Sequence, residues 1–187
     1  MSGRTSIVML SCALLDIVFM GMFTYASIEV FVDAVSDTLR SDLEDPVAYY
    51  QMVPMEDGAD ASKYILSGVK ALWVAELKTS ANDTQIVGMI ALDLVPNSST
   101  KTGEIRRMFV SPLFRRVGVA SSLMRVCESR AKAYGLSRIV LNTSEYQTGA
   151  MRLYEGAGYR IYNRRELRSR SGLGVVKMID YCKNLGK

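Results

Sequence analysis

Residues 104–124 read EIRRMFVSPLFRRVGVASSLM, an apolar extended run that hands over to a helix through a short basic loop. Glu104 to Val110 has the composition of a strand, and from Gly118 to Tyr134 the apolar residues Leu123, Met124, Cys127, Ala131 and Tyr134 fall on one helical face. Gly135 supplies the C-terminal stop. Small residues, Gly118 and Ala120, stand at the handover, so a ligand can come close to the first amides of the helix. Those amides have no partner inside the helix, and the helix dipole with Arg115 and Arg116 favours an anion such as phosphate. The hexamer RRVGVA, residues 115–120, taken alone fits an ordinary loop and cap with solvated arginines equally well. It lacks GxxxxGK[ST] and GxGxxG, which excludes a P-loop and a dinucleotide fingerprint.

Outward from this unit the pattern is a mixed α/β layer in one domain. Ala71 to Leu77 and Gln85 to Val95 predict an antiparallel hairpin ahead of the 104–110 strand. Arg138 to Thr143 predicts a buried strand, Thr148 to Ala157 a short helix, and Tyr159 to Asn163 and Gly174 to Tyr181 two closing strands. Upstream, Val32, Val35, Leu39 and Leu43 recur at helical spacing with Asp33, Asp37 and Asp42 between them, which predicts an acidic amphipathic helix on the aqueous side of the apolar segment. A short helix is expected from Pro46 to Gln51, and Val53 to Gly68 reads as an exposed loop.

The 187 residues carry a net charge of +4, but the charge is sorted: residues 1–100 hold 5 bases and 13 acids, and residues 101–187 hold 18 and 6. The C-terminal half is therefore the one that handles an anion or acidic surface. No histidine is present, which excludes Ser-His and Cys-His machinery and histidine metal sites. Cys12, Cys127 and Cys182 form no CxxC pair, so neither a metal nor a disulfide framework is expected, and Cys127 reads as a packed thiol. The run Arg160, Arg164, Arg165, Arg168, Arg170 has no stacking platform around it. It reads as a solvated hairpin or, secondly, a contact for anionic lipid headgroups, and no nucleic-acid partner is expected.

Residues 7–28 are apolar at 17 of 22 positions. As a helix they would measure about 33 Å, the thickness of a hydrocarbon core. Asp16 near the centre opposes insertion by about 2.5–3.5 kcal/mol, which the surrounding Val, Leu, Ile and Phe residues offset. Three readings stay open: a membrane-embedded helix or half-hairpin, a packed soluble helix, and a cleaved signal. The first divides the chain into a hydrophobic segment, 1–33, and a folded domain, 34–187.

The 104–124 segment, then IVLNT (139–143), then AMRLYEGAGY (150–159), resembles the GNAT acetyltransferase superfamily in order and spacing across residues 71–181. The resemblance implies a mixed, largely antiparallel central sheet flanked by helices, with an N-terminal hydrophobic helix before it. It implies acetyl-CoA as cosubstrate, no metal, and acetyl transfer to a primary amine. Arg115, Arg116, Val117, Gly118, Val119, Ala120 and Ser121 stand where that family cradles the coenzyme A pyrophosphate. Met108, Phe109 and Val110 stand where its main chain pairs with pantetheine, and Gln147 where an asparagine often contacts it. The usual hexamer is closer to RGKGIG, so Arg116 and Val117 replace a glycine and a polar residue. Tyr154 matches the position of the acid that protonates the departing thiolate, although Ala150, Leu153, Tyr154 and Ala157 also read as a core stripe. Glu104 is the expected base, its bland alternative being a strand-end surface carboxylate.

The apolar segment followed by VDAVSDTLRSDLED and LWVAEL is similar to the membrane-anchored camello-like branch, which implies a small amino acid-like or S-conjugate acceptor, or a protein lysine. It places the protein at a membrane, the endoplasmic reticulum, or in the cytoplasm if the segment packs. The alternative to an enzyme is a silent coenzyme A-binding module or membrane adaptor.

Overall fold

A computed structural model describes residues 20–22, 24, 25, 28, 32, 36, 41–54, 64–80, 83–96, 98, 101–169 and 174–186. Six strands form the central sheet: β3 (Ala71–Ser80), β4 (Asp83–Leu94), β5 (Thr102–Val110), β6 (Arg138–Ser144), β7 (Arg160–Arg168) and β8 (Val175–Asn184), in the order β3-β4-β5-β6-β8-β7. Every neighbouring pair is antiparallel except β5–β6. A parallel pair needs a crossover, and α2 (Val119–Ala133) supplies it. A second helix, α3 (Thr148–Gly156), follows β6.

The expected apolar face of α2 is the observed one except at Tyr134, which caps the helix and is 40% exposed. Leu123, Met124, Cys127 and Ala131 are buried against Ile90, Leu92, Ile105 and Ile139 from three strands. Gly88 lets the helix come down onto β4: a Cβ there would lie 3.0 Å from the Phe109 carbonyl oxygen and 3.2 Å from side-chain carbons of Val119 and Leu123. Tyr154, Tyr159 and Tyr181 close the core beneath α3, with ring centroids 6.2 Å and 5.9 Å apart from Tyr154. Cys127 is fully buried and its thiol pKa is pushed up to about 12 by burial, then by the neighbouring Glu128 charge, as a packed thiol requires.

Three expectations need correction. Residues 53–68 are not all loop: β1 (Met52–Pro54) and β2 (Tyr64–Leu66) pair as a small hairpin, which Arg130 of α2 holds by donating to the carbonyls of Leu66 and Gly68. The last strands run further than their apolar stretches, because the arginines of β7 pair in register with β8 as far as Arg168 and Val175. β7 is exposed along its length, in keeping with a solvated hairpin. The third correction concerns Asp42, which is fully buried rather than turned to the aqueous side.

Met20–Met22, Thr24, Tyr25, Ile28, Val32 and Ser36 are helical, and Met20, Met22, Tyr25, Ile28 and Val32 are each more than half exposed. Most of the 1–33 segment lies outside the described residues. No helix among the described residues is long and apolar enough to cross a membrane.

Residues 41–50 cover the sheet face opposite α2. The short helix α1 (Pro46–Tyr49) begins where expected, with Pro46 in its first turn and the Asp45 side chain capping the Ala48 amide at 3.0 Å. It delivers two tyrosines to buried acids on that face. The Tyr50 hydroxyl donates to Asp42, and that of Tyr49 to Asp93 on β4 at 2.7 Å. Asp42 also accepts from Arg107 Nε at 2.9 Å, from Arg107 Nη2, and from Ser41 Oγ at 2.9 Å. Arg106 Nη1 lies 3.1 Å from Asp93 and 3.9 Å from Asp42. Burial opposes charge on Asp42, but its bonds from Arg107, Tyr50 and Ser41 outweigh that and hold its carboxyl far below the usual range.

A depressed carboxylate stabilises the fold fully above its unfolded pKa of about 4, and the contribution declines as pH falls below that value, because the unfolded chain takes up the proton first. Asp42→Asn leaves the half-buried Arg107 without its counter-charge, and a loss of about 3–5 kcal/mol is expected in urea unfolding at neutral pH. The difference from wild type should shrink when the measurement is repeated at successively lower pH.

Candidate active site

β5 and β6 pair only at Thr102–Arg138, Gly103–Ile139 and Glu104–Val140, after which the strands part. Beyond Glu104 the backbone of β5 still pairs with β4 on its other edge, through Ala91–Arg106, Met89–Phe109 and Gly88–Val110, with one irregularity between. That irregularity is a bulge: Arg107 has φ +55°, the left-handed conformation that lets one strand carry an extra residue and bend. The parting leaves a groove whose walls are the open edge of β5 and the start of α3.

A cavity of about 830 Å³ fills the groove, lined by Met108, Phe109 and Val110 of β5, by Phe114, Arg115, Arg116 and Gly118 to Ser121, and by Tyr146 to Ala150 with Arg152, Leu153 and Tyr154. Gly118 caps α2 with φ +90°, and no protein atom lies within 4 Å of where its Cβ would be. Arg116 also takes a left-handed φ of +65°. The first amides of α2, on Val119, Ala120 and Ser121, have no acceptor one turn back, and all three residues face the cavity. Arg115 is steadied by a 3.2 Å bond from Nε to the Val110 carbonyl. A cleft with unpaired amides at a helix start, two guanidiniums and an open strand edge suits an extended ligand with phosphates at one end and amide groups along its length.

Ten of the eleven residues expected to hold the cosubstrate line this cavity: Met108, Phe109, Val110, Arg115, Arg116, Gly118, Val119, Ala120, Ser121 and Gln147. Val117 does not. It is 71% exposed and lines an apolar groove beside β3 that shares Phe114, Gly118 and Val119 with this cavity. Gln147 accepts a 2.7 Å bond from the Thr143 hydroxyl through Oε1.

A second cavity of about 300 Å³ also borders Tyr154, lined by Glu104, Ile105, Arg106, Arg107, Met108, Asn142, Gln147 and Tyr154. Met108, Gln147 and Tyr154 belong to both walls, so the two spaces adjoin. Tyr154 is 5% exposed, packed as a core residue and standing between the cavities at once. Burial pushes its hydroxyl pKa up to about 12, so it keeps its proton at neutral pH. Glu104 is displaced upward as well, first by burial and then by Asp93 directly opposite on β4, against the pull of Arg106, Arg165 and Arg107. Arg106, Arg107 and Asn142 were not singled out in the sequence. The signal available for two of them was alternation: Arg106 lies two residues from Glu104 on one strand face, and Asn142 two from Val140, which pairs with Glu104; the bulge at Arg107 breaks that alternation.

Residues 37–159, more than half of the chain, match the family model described as Acetyltransferase (GNAT) family. N-acetyltransferase 8F1 of Rattus norvegicus is 37% identical over 106 residues, which cover 56% of this chain and 46% of that protein. N-acetylaspartate synthetase of Danio rerio is 31% identical over 143 residues, covering 76% of this chain and 43% of that protein. The chain thus spans under half the length of both relatives. A putative streptothricin acetyltransferase from Bacillus anthracis str. Ames, solved in complex with acetyl coenzyme A, has the same fold, with a TM-score of 0.53 at 23% identity over 62% of each chain. With its parted strands, bulge and glycine-capped helix inside the matched span, the chain belongs to the GNAT family of acetyltransferases.

Proposed function

We propose that this chain is an N-acetyltransferase that moves the acetyl group of acetyl-CoA to a primary amine. The observation that carries this reading is the pair of adjoining cavities with Tyr154 between them, one suited to a phosphate-bearing cosubstrate and the other lined by a carboxylate. The residues fit that cosubstrate: Arg115, Arg116 and the amides of Val119 to Ser121 would hold its phosphates, and the edge of β5 from Met108 to Val110 its amide-bearing arm. Once bound, acetyl-CoA supplies an acyl group activated as a thioester.

The protein's share is proton management and positioning. An ammonium acceptor must lose a proton before it attacks, and Glu104 takes it, directly or through water. Backbone amides on the open edge of β5 stand as donors for the oxyanion that develops at the carbonyl. Tyr154, neutral at working pH, gives its proton to the departing sulfur. A buried phenol surrounded by Tyr159 and Tyr181 is held in one orientation by packing, so a member of the core stripe also serves as the acid.

The domain division is part of the proposal: a hydrophobic, membrane-associated segment, 1–33, ahead of the transferase domain, 34–187. Its support is the apolar run of residues 7–28 and the exposed apolar side chains on the helical residues from Met20 to Val32. Alkaline carbonate extraction of membranes is expected to leave the full chain in the pellet, and release to the supernatant would refute insertion.

Tyr154→Phe is expected to lower kcat by about 100-fold with little change in acetyl-CoA binding, measured by thiol release and by calorimetry. Acetyl-CoA binding by wild type without thiol release across a broad amine panel would leave only the silent binding module. For Glu104→Gln, kcat should drop by a comparable factor of about 100. In wild type the raised Glu104 makes activity fall on acidification at a pH above the ~4.3 of an ordinary glutamate, since the base must be unprotonated. That limb should vanish from the kcat profile of the variant.

A further inference from the structure

The cavity beside Tyr154 shows two guanidiniums, which at first sight suit an acceptor bearing a carboxylate. Their partners change that reading. Arg107 spends Nε and Nη2 on Asp42, whose side chain is wholly buried. Arg106 lies between Asp93 at 3.1 Å and Asp42 at 3.9 Å. The next cation near Glu104, Arg165 of β7, has Nε 3.2 Å from both carboxylate oxygens of Asp180, and Lys70 lies 3.1 Å from Asp93. Each cation around the cavity has a carboxylate in contact. Glu104 is the acid on the wall with no ion-pair partner among the described residues, and its neighbour across the sheet is another acid, Asp93.

We infer that the acceptor is a cationic amine without a carboxylate on the carbon beside its nitrogen, received by Glu104, with Asp42 and Asp93 enforcing the choice by occupying Arg107 and Arg106. This rests on the N-acetyl transfer proposed above. A carboxylate next to the amine would be brought against Glu104 and would have to compete with buried aspartates for each guanidinium. An ammonium instead gains a counter-charge and passes its proton to it. The nitrogen then forms the N–C bond to the acetyl carbon as the C–S bond breaks. The sulfur leaves with the proton of Tyr154, the second proton shed by the acylated nitrogen restores that tyrosine, and the proton held by Glu104 returns to solvent.

The test uses the full chain, acetyl-CoA and matched acceptors that differ at the carboxylate while keeping similar amine basicity: glycine with ethanolamine, and phenylalanine with phenylalaninol, with L-aspartate as the most acidic member. The amino alcohols should be favoured by about tenfold or more in kcat/KM, chiefly through KM, and aspartate should be the poorest acceptor. Equal use of both, or preference for the amino acids, overturns the assignment and leaves acetyl transfer standing. No thiol release with any of them, although acetyl-CoA binds, overturns the transfer reading and this one with it. Asp42→Asn releases Arg107 and should narrow the alcohol-to-acid ratio by about fivefold. The ratio is measured within one preparation and does not depend on how much of it is folded. If Asp42→Asn yields no folded protein, Asp93→Asn, which releases Arg106, is expected to narrow the ratio in the same direction. An unchanged ratio in the folded variant overturns the role given to these aspartates.

Discussion

The parting of β5 from β6 after three paired residues is the constraint on which the site depends. Backbone N–H and C=O groups in a sheet interior are expected to be paired, and a central strand with an open edge is tolerable only where something polar meets it. Here the bend that opens the edge is localised at Arg107, whose left-handed backbone inserts an extra residue against β4. The groove is therefore a consequence of strand register rather than of loops. The helix capped by Gly118 and the helix that starts at Thr148 flank it, so the proposed cradle for phosphate and the wall that carries Tyr154 are set by the same departure from regular pairing.

The bulge has an electrostatic anchor. Arg107 is the bulged residue, and its guanidinium reaches across to Asp42 in a segment 65 positions earlier in the chain. The segment from Ser41 to Tyr50 thereby pins the one residue whose conformation bends the central strand. Tyr49, Lys70 and Arg106 gather on Asp93 in the same layer. A buried polar network costs desolvation and returns most of it through its bonds, so its net contribution is specificity of arrangement more than raw stability. The arrangement it specifies is the one that leaves Glu104 facing the polar cavity.

Much of this frame was legible in the sequence because it is local. A strand, a basic loop and an amphipathic helix in immediate succession announce themselves by periodicity, and the fold follows from that unit with IVLNT and AMRLYEGAGY in their places. Val117 stands apart because a motif read as a block ignores side-chain direction: Val117 lines only the groove beside β3, while Gly118 and Val119 border both that groove and the large cavity. The hairpin of β1 and β2 was missed because three-residue strands have no detectable period. The strand of β7 reads as ending at Asn163 because charge hides a continuation whose support comes from backbone pairing with β8 and not from burial.

Asp42 shows the deeper limit. In an acidic run with helical spacing an aspartate reads as solvated, and nothing within its own neighbourhood says otherwise. Its burial is decided by a partner that lies far away in the chain and that itself looks, in EIRRMFV, like one of two surface arginines on a strand. Only when the sheet brings them together does each account for the other: an arginine at a bulge can be buried because an acid waits there, and the acid can be buried because the bulge turns the arginine toward it. Tyr154 teaches the converse. Its place in an apolar stripe and its place at a reacting centre looked like competing readings, but burial is what raises the phenol pKa and fixes its orientation. A proton donor that must stay neutral and stay in position is best made from a core residue, so in the role proposed for this side chain packing is the means by which the chemistry would be done.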